Sequence, residues 1–196
     1  MKIIKFVCSL LMTACISVSH AAVIHVTDLS GNLLGAKNVL VDGSLYDVAF
    51  SDGTCISLFN GCDDPSDFTF DTDSLALLAS QALMDSVLID GVAGMFDSDV
   101  KLVHGCDSFV ECIIMTAYVN IPPFDVSVSV AWNEAVEVDD ITFNSSFSRT
   151  TDTSIELPRH LFAIWTEAIE VPEPGTVILL AMGLAGLSFA RYRKQS

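Results

Sequence analysis

Hydrophobic and polar residues alternate with a period of two along much of the chain, and that pattern predicts strands. Ala22 to Thr27 is a short β-rich start. From Asn38 to Phe50, Val39-Leu40-Val41 is followed by Asp42-Gly43 and then Leu45-Tyr46-Asp47-Val48, the signature of two strands joined by a two-residue hairpin turn. Asp52-Gly53 marks the next turn. Ile113, Met115, Ala117, Val119 and Ile121 form one apolar face. Phe124, Val126, Val128, Val130 and Trp132 form another, with Asp125, Ser127, Ser129 and Ala131 on a mostly polar opposite face. Pro122-Pro123 lies between the two runs, where a reversal or sharp bend is expected.

One stretch has helical character instead. Asp71-Thr72-Asp73-Ser74 supplies N-cap residues and negative charge, and Leu75 to Leu88 follows without Gly or Pro. Its apolar positions cover a wide arc, which predicts a helix packed firmly on a sheet, and Gly91 and Gly94 are the expected end. Residues 161–170 fit either helical spacing or strand composition, and we read them as a strand. The predicted fold class is α+β: mainly antiparallel sheet with one packed helix, two disulfides and a C-terminal transmembrane helix.

The two ends follow different rules. In residues 1–21, Lys2 and Lys5 precede an apolar stretch from Phe6 to Val18, and Ser19-His20-Ala21 places small residues at −3 and −1. This is the layout of a signal peptide cleaved by signal peptidase after Ala21, with Ala22 as a near alternative. Met12-Thr13-Ala14-Cys15 is a loose lipobox, which would instead make Cys15 a lipidated terminus. At the other end, Val171-Pro172-Glu173-Pro174 precedes an uncharged apolar run over 175–190 and the basic cluster Arg191, Arg193 and Lys194. Two prolines around one residue hold the backbone extended, in a form that a processing enzyme can grip. The apolar run is about 24 Å long as a helix, at the short end for a membrane span. The basic cluster is then a cytoplasmic anchor, with residues 22–170 an exported domain across the membrane.

Composition narrows the partners. The chain has 196 residues, room for one ordinary domain, and a mean hydropathy of +0.52 beside a net charge of −16. Between residues 22 and 171, 24 acidic residues stand against four basic ones, Lys37, Lys101, Arg149 and Arg159. Such a surface excludes nucleic acid as the main partner, since cations neutralising phosphate dominate that binding. It also disfavours adsorption to anionic lipid.

The tail, residues 171–196, resembles the PEP-CTERM sorting signal of exopolysaccharide-producing Gram-negative bacteria: the motif, the hydrophobic helix and the basic end all stand in register. The resemblance implies recognition by an exosortase, a multipass membrane enzyme that removes the tail near Pro172-Glu173-Pro174. It further implies an inner-membrane intermediate, then release or attachment at the cell surface or extracellular matrix. Leu33 to Cys62 is also similar to a segment of other proteins that carry this signal, which implies no activity.

Chemistry-bearing residues in the exported region are sparse. Four cysteines remain there, Cys55, Cys62, Cys106 and Cys112, and an exported compartment favours two disulfides. Three connectivities are open, of which we favour the local pairs Cys55–Cys62 and Cys106–Cys112; the spacings do not match zinc sites. His25, His104 and His160 form no metal-protease motif, no Gly-x-Ser-x-Gly elbow or phosphate-binding loop occurs, and no catalytic residue is assigned. Asp63, Asp64, Asp67, Asp71 and Asp73 place five carboxylates within eleven residues, hard ligands that suit Ca²⁺. The competing reading of that run is a solvated loop with a helix cap, and Asp97-Ser98-Asp99 and Asp139-Asp140 are lesser acidic runs. The expected function is a non-catalytic surface or matrix protein associated with extracellular polysaccharide. The alternatives are a secreted hydrolase acting on that polysaccharide and a calcium-binding ectodomain.

Overall fold

Asp42 and Gly43 both take positive φ, 47° and 83°. That is the conformation of a tight turn whose twist matches the strands it joins. It connects β2 (Leu33–Val41) to β3 (Ser44–Ser51), with Val41 opposite Ser44. A computed structural model describes residues 21–135 and 140–169. The expected signal peptide up to His20, the Val171–Pro174 motif, the apolar run 175–190 and the basic cluster lie outside the described residues. Among the described residues no helix is long and apolar enough to cross a membrane.

The hairpin belongs to a seven-stranded sheet. Its other strands are β1 (Ile24–Thr27), β6 (Glu111–Ile121), β7 (Asp125–Glu134), β8 (Ile141–Ser148) and β9 (His160–Glu167). The spatial order is β1-β2-β3-β9-β6-β7-β8. Every neighbouring pair is antiparallel except β6 with β9, which run parallel. The last strand in sequence is therefore the middle one in space. Two short strands, β4 (Asp90–Gly91) and β5 (Gly94–Met95), form a separate small hairpin. Short helices α1 (Cys55–Leu58) and α3 (Thr153–Glu156) flank the main helix α2 (Asp73–Ser86).

Helix α2 starts where the sequence predicts. The Thr72 hydroxyl caps it by accepting from the Leu75 N–H at 3.3 Å, and Asp73 sits in the first turn, where negative charge meets the positive helix end. Its end corrects the sequence reading: the helix stops at Ser86, and Gly91 and Gly94 lie in the β4–β5 hairpin instead. The cause is packing. The N–H groups of Val87 and Leu88 both close on the Leu83 carbonyl, at 2.9 and 2.8 Å, which turns both side chains into the core before any glycine is reached.

A second correction concerns β7. Its predicted polar face is buried: Ser127, Ser129 and Ala131 join Asn133 beneath α2. Small side chains at these positions let the helix approach the sheet closely, so shortness matters more than polarity. Phe124 falls outside the strand and is exposed.

The sheet thus separates two apolar layers. On the α2 side, Leu83, Phe70, Phe96, Ile114, Leu161 and Trp165 pack together. On the other, Val126, Val128, Met115 and Phe162 pack against Cys55, Phe59, Cys62 and Phe68 of the loop after β3. The sheet curls around this second layer. Phe147 on β8 reaches Phe162 on β9, with ring centroids 5.7 Å apart, although β7 and β6 intervene.

Candidate functional site

The acidic loop is the first place to look for chemistry. Asp64 caps a single 3-10 turn, Pro65–Asp67, accepting from the Ser66 N–H at 2.9 Å and the Ser66 hydroxyl at 2.7 Å. These bonds hold its carboxyl below the usual range. The Asp67 carboxylate turns back to accept from the N–H groups of Asp63 and Asp64, at 3.1 and 3.0 Å, which completes a reciprocal capping box. Asp73 accepts from the Ser74 N–H at the start of α2, and Asp71 is exposed. Three of the five carboxylates, those of Asp64, Asp67 and Asp73, are thus committed to backbone N–H groups along the loop. Among the described residues, no group of three or more His, Cys, Asp or Glu side chains is arranged to hold a metal ion.

The histidines serve the fold. His25 stacks on Phe96 and its Nε2 lies 3.0 Å from the Val87 carbonyl. His160 stacks on Phe147, and burial, with Arg159 beside it, holds its imidazole below the ordinary value while Glu111 opposes. His104 docks through its backbone, donating from its N–H to the Leu33 carbonyl at 2.9 Å.

Two carboxylates are brought into unusual surroundings that no local pattern signals. Asp52 accepts from the Thr153 hydroxyl at 3.3 Å, and that same hydroxyl accepts from the Gly53 N–H at 3.0 Å. Gly105 presses on the Asp52 carboxylate so closely that a Cβ there would collide with it. Burial raises the Asp52 pKa, the Thr153 bond and His104 oppose, and Asp107 and Asp152 add repulsion. Thr153 is fully buried, so its hydroxyl is a structural link and offers nothing to a substrate. Asp97 is raised by burial and by Asp140 and Asp90. The acidic runs at 97–99 and 139–140 thus meet through one residue of each. Partners 101 residues apart in Asp52 and Thr153 leave no trace in spacing.

Phe109 and Phe124 are exposed, whereas Tyr46, Tyr118, Trp132 and Trp165 pack on the core. Trp165 and Tyr118 are buried, and the Trp165 Nε1–H donates to the Thr116 hydroxyl at 3.1 Å. Tyr46 leans on Phe70 and Trp165. Both disulfides are local. Cys55–Cys62 lies in the second layer, with Cα atoms 5.7 Å apart, and Cys106–Cys112 in the first, at 5.6 Å.

What remains is the way the chain leaves the domain. Strand β9 pairs with β3 as far as Glu167 opposite Tyr46, and the Ala168 N–H donates to the Leu45 carbonyl at 2.9 Å. Ile169 is 91% exposed. From the next residue, the chain matches a family model: residues 170–194 fit the PEP-CTERM protein-sorting motif. This chain carries a PEP-CTERM sorting motif. The motif makes it an exported, cell-surface-directed protein sorted and processed by an exosortase. No curated protein and no solved structure matches the chain. The described domain is thus the cargo that this PEP-CTERM tail sorts.

Proposed function

We propose that the cargo is a non-catalytic protein of the cell surface or extracellular matrix, associated with exopolysaccharide. Signal peptidase removes residues 1–21, the run 175–190 holds the protein in the inner membrane, and exosortase then removes the tail. The sorting motif immediately after the last strand is the observation that carries this reading. The character of the cargo supports it. Asp64, Asp67 and Asp73 are engaged in caps and Asp52 in a loop closure, His25 and His160 are engaged in packing, and both cysteine pairs are oxidised. A strongly acidic domain stays soluble, and its carboxylates are available to share counterions with a hydrated polysaccharide.

Intact mass spectrometry of the protein from its native cell tests the sorting. The expected mass lacks residues 1–21 and the segment beyond the Pro-Glu-Pro motif, and rises by about 4 Da on reduction, two hydrogens per disulfide. A mass that retains residues 175–196 would mean a permanently anchored protein. Co-purification with the polysaccharide, without depolymerising it, tests the cargo's role; a fall in polymer size would establish a hydrolase.

A further inference from the structure

The two edges of the main sheet are built differently. β1 is four residues long, and its pairing with β2 shifts register between Val26 and Thr27, so it offers little to a new strand. β8 is eight residues long and pairs with β7 without a register shift from Asp125 opposite Ser148 to Trp132 opposite Ile141. Among the described residues, no strand pairs with its outer side. Its sequence, Ile-Thr-Phe-Asn-Ser-Ser-Phe-Ser, contains no proline and no charged residue, in a chain whose net charge is −16. The usual protections of an edge are missing: it is neither short, bulged, charged nor proline-bearing.

We propose that β8 is a self-association edge, pairing antiparallel with β8 of a second copy across a two-fold axis at Ser145. The charge pattern favours a second copy. In a chain whose net charge is −16, this strand brings no carboxylate of its own against its copy. The charges that bound the strand are held within their own copy: the Asp140 carboxylate accepts from the Glu134 N–H, and the Arg149 guanidinium donates to the Cys62 and Pro123 carbonyls. The side chains are self-complementary as well. With Ser145 opposite the partner's Ser145, Phe143 stands opposite the partner's Phe147 on the same face, twice over. Phe143 is 36% exposed and Ile141 47%, so both have apolar surface to bury. Cross-strand aromatic pairs are among the more favourable neighbours in a sheet. A two-fold axis reuses one patch on both copies and closes the edge, and the resulting sheet is fourteen strands wide, twice the seven of one copy.

Sedimentation of the protein recovered from the cell surface tests the proposal. A reversible dimer is expected, and it tightens as salt rises from low to physiological strength, because the remaining repulsion between acidic domains is screened. Asn144→Glu with Ser145→Glu, both at exposed positions, places like charges about the axis and weakens the dimer about tenfold or more while leaving the fold intact. A Ser145→Cys chain is expected to cross-link to itself under mild oxidant, whereas Asn144→Cys, offset by two residues from its counterpart, is not. A monomer at every concentration, a dimer indifferent to the two glutamates, or a Ser145→Cys chain that stays uncross-linked would each overturn it.

Discussion

At the residue scale, titration separates groups that capping stabilises from groups that burial strains. Asp52 has its folded pKa raised, chiefly by burial. The folded state then holds this proton more tightly than the unfolded chain. Asp52 adds stability as pH falls through its folded pKa and withdraws it above. His160 has the opposite sense: its folded pKa is lowered, so stability is lost as pH falls below the ordinary imidazole value of about 6.5 and the unfolded chain takes up the proton. Asp52→Asn keeps an oxygen for the Thr153 hydroxyl and removes the charge. Discounted for its partial exposure, the expected gain is about 0.5 kcal/mol at neutral pH, shrinking towards zero in acid where the native side chain is already protonated. Urea unfolding midpoints of both proteins at two pH values check this; an equal difference at each would remove burial as the cause. The local disulfides are simpler. Replacing Cys106 and Cys112 together with alanine is expected to cost about 2 kcal/mol, the loop-closure entropy of a short ring, with the same urea measurement as readout.

At the element scale, the hairpins and the main helix were legible because each is decided by neighbours in sequence. Asp42-Gly43 takes positive φ, Thr72 caps a helix that begins at Asp73, and period-two alternation marks β6 and β7. In β6, however, a register shift between Ala117 and Val119 breaks the expected apolar face and turns Val119 to the layer opposite Ile113, Met115 and Ala117. The layering was not legible, because it depends on elements that arrive from far along the chain. Ser127 and Ser129 read as solvent-facing until α2 lies over them, and the end of α2 is set by the burial of Val87 and Leu88. Two tests belong here. Gly35 on β2 has φ +149°, and a Cβ there would run into the Val48 carbonyl oxygen on β3. Gly35→Ala must open that pairing, so a loss of more than about 1 kcal/mol in the thermal or urea transition is expected. The second is the bridge from β9 to β6. Trp165→Phe fills most of the same space but leaves the buried Thr116 hydroxyl without its donor, a cost of about 1–3 kcal/mol beyond the lost indole contacts. Trp165→Phe in a Thr116→Val background should lose less, and the double-mutant cycle measures the difference.

At the scale of the whole molecule, the sorting tail and the fold meet at β9. This strand is last in sequence and central in space, flanked by β3 and β6 and contributing to both apolar layers through Leu161, Trp165 and Phe162. Without it the sheet divides into β1-β2-β3 and β6-β7-β8, each exposing a new edge and half a core. The sheet can therefore close only after the chain has been delivered almost to the sorting motif, which begins one residue past Ile169. The disulfides have no such dependence. Their partners lie seven and six residues apart, within segments that cross the membrane long before β9. A chain ending at Pro158 is expected to form both local disulfides yet show no cooperative unfolding transition. A chain ending at Ile169, in which sheet pairing is complete through Glu167 and Ala168, is expected to unfold with the midpoint of the processed protein. Mass spectrometry after thiol blocking counts the disulfides, and circular dichroism against temperature reads the transition. A cooperative transition in the shorter chain would mean that the two half-sheets stand alone, and that sorting and folding are independent after all.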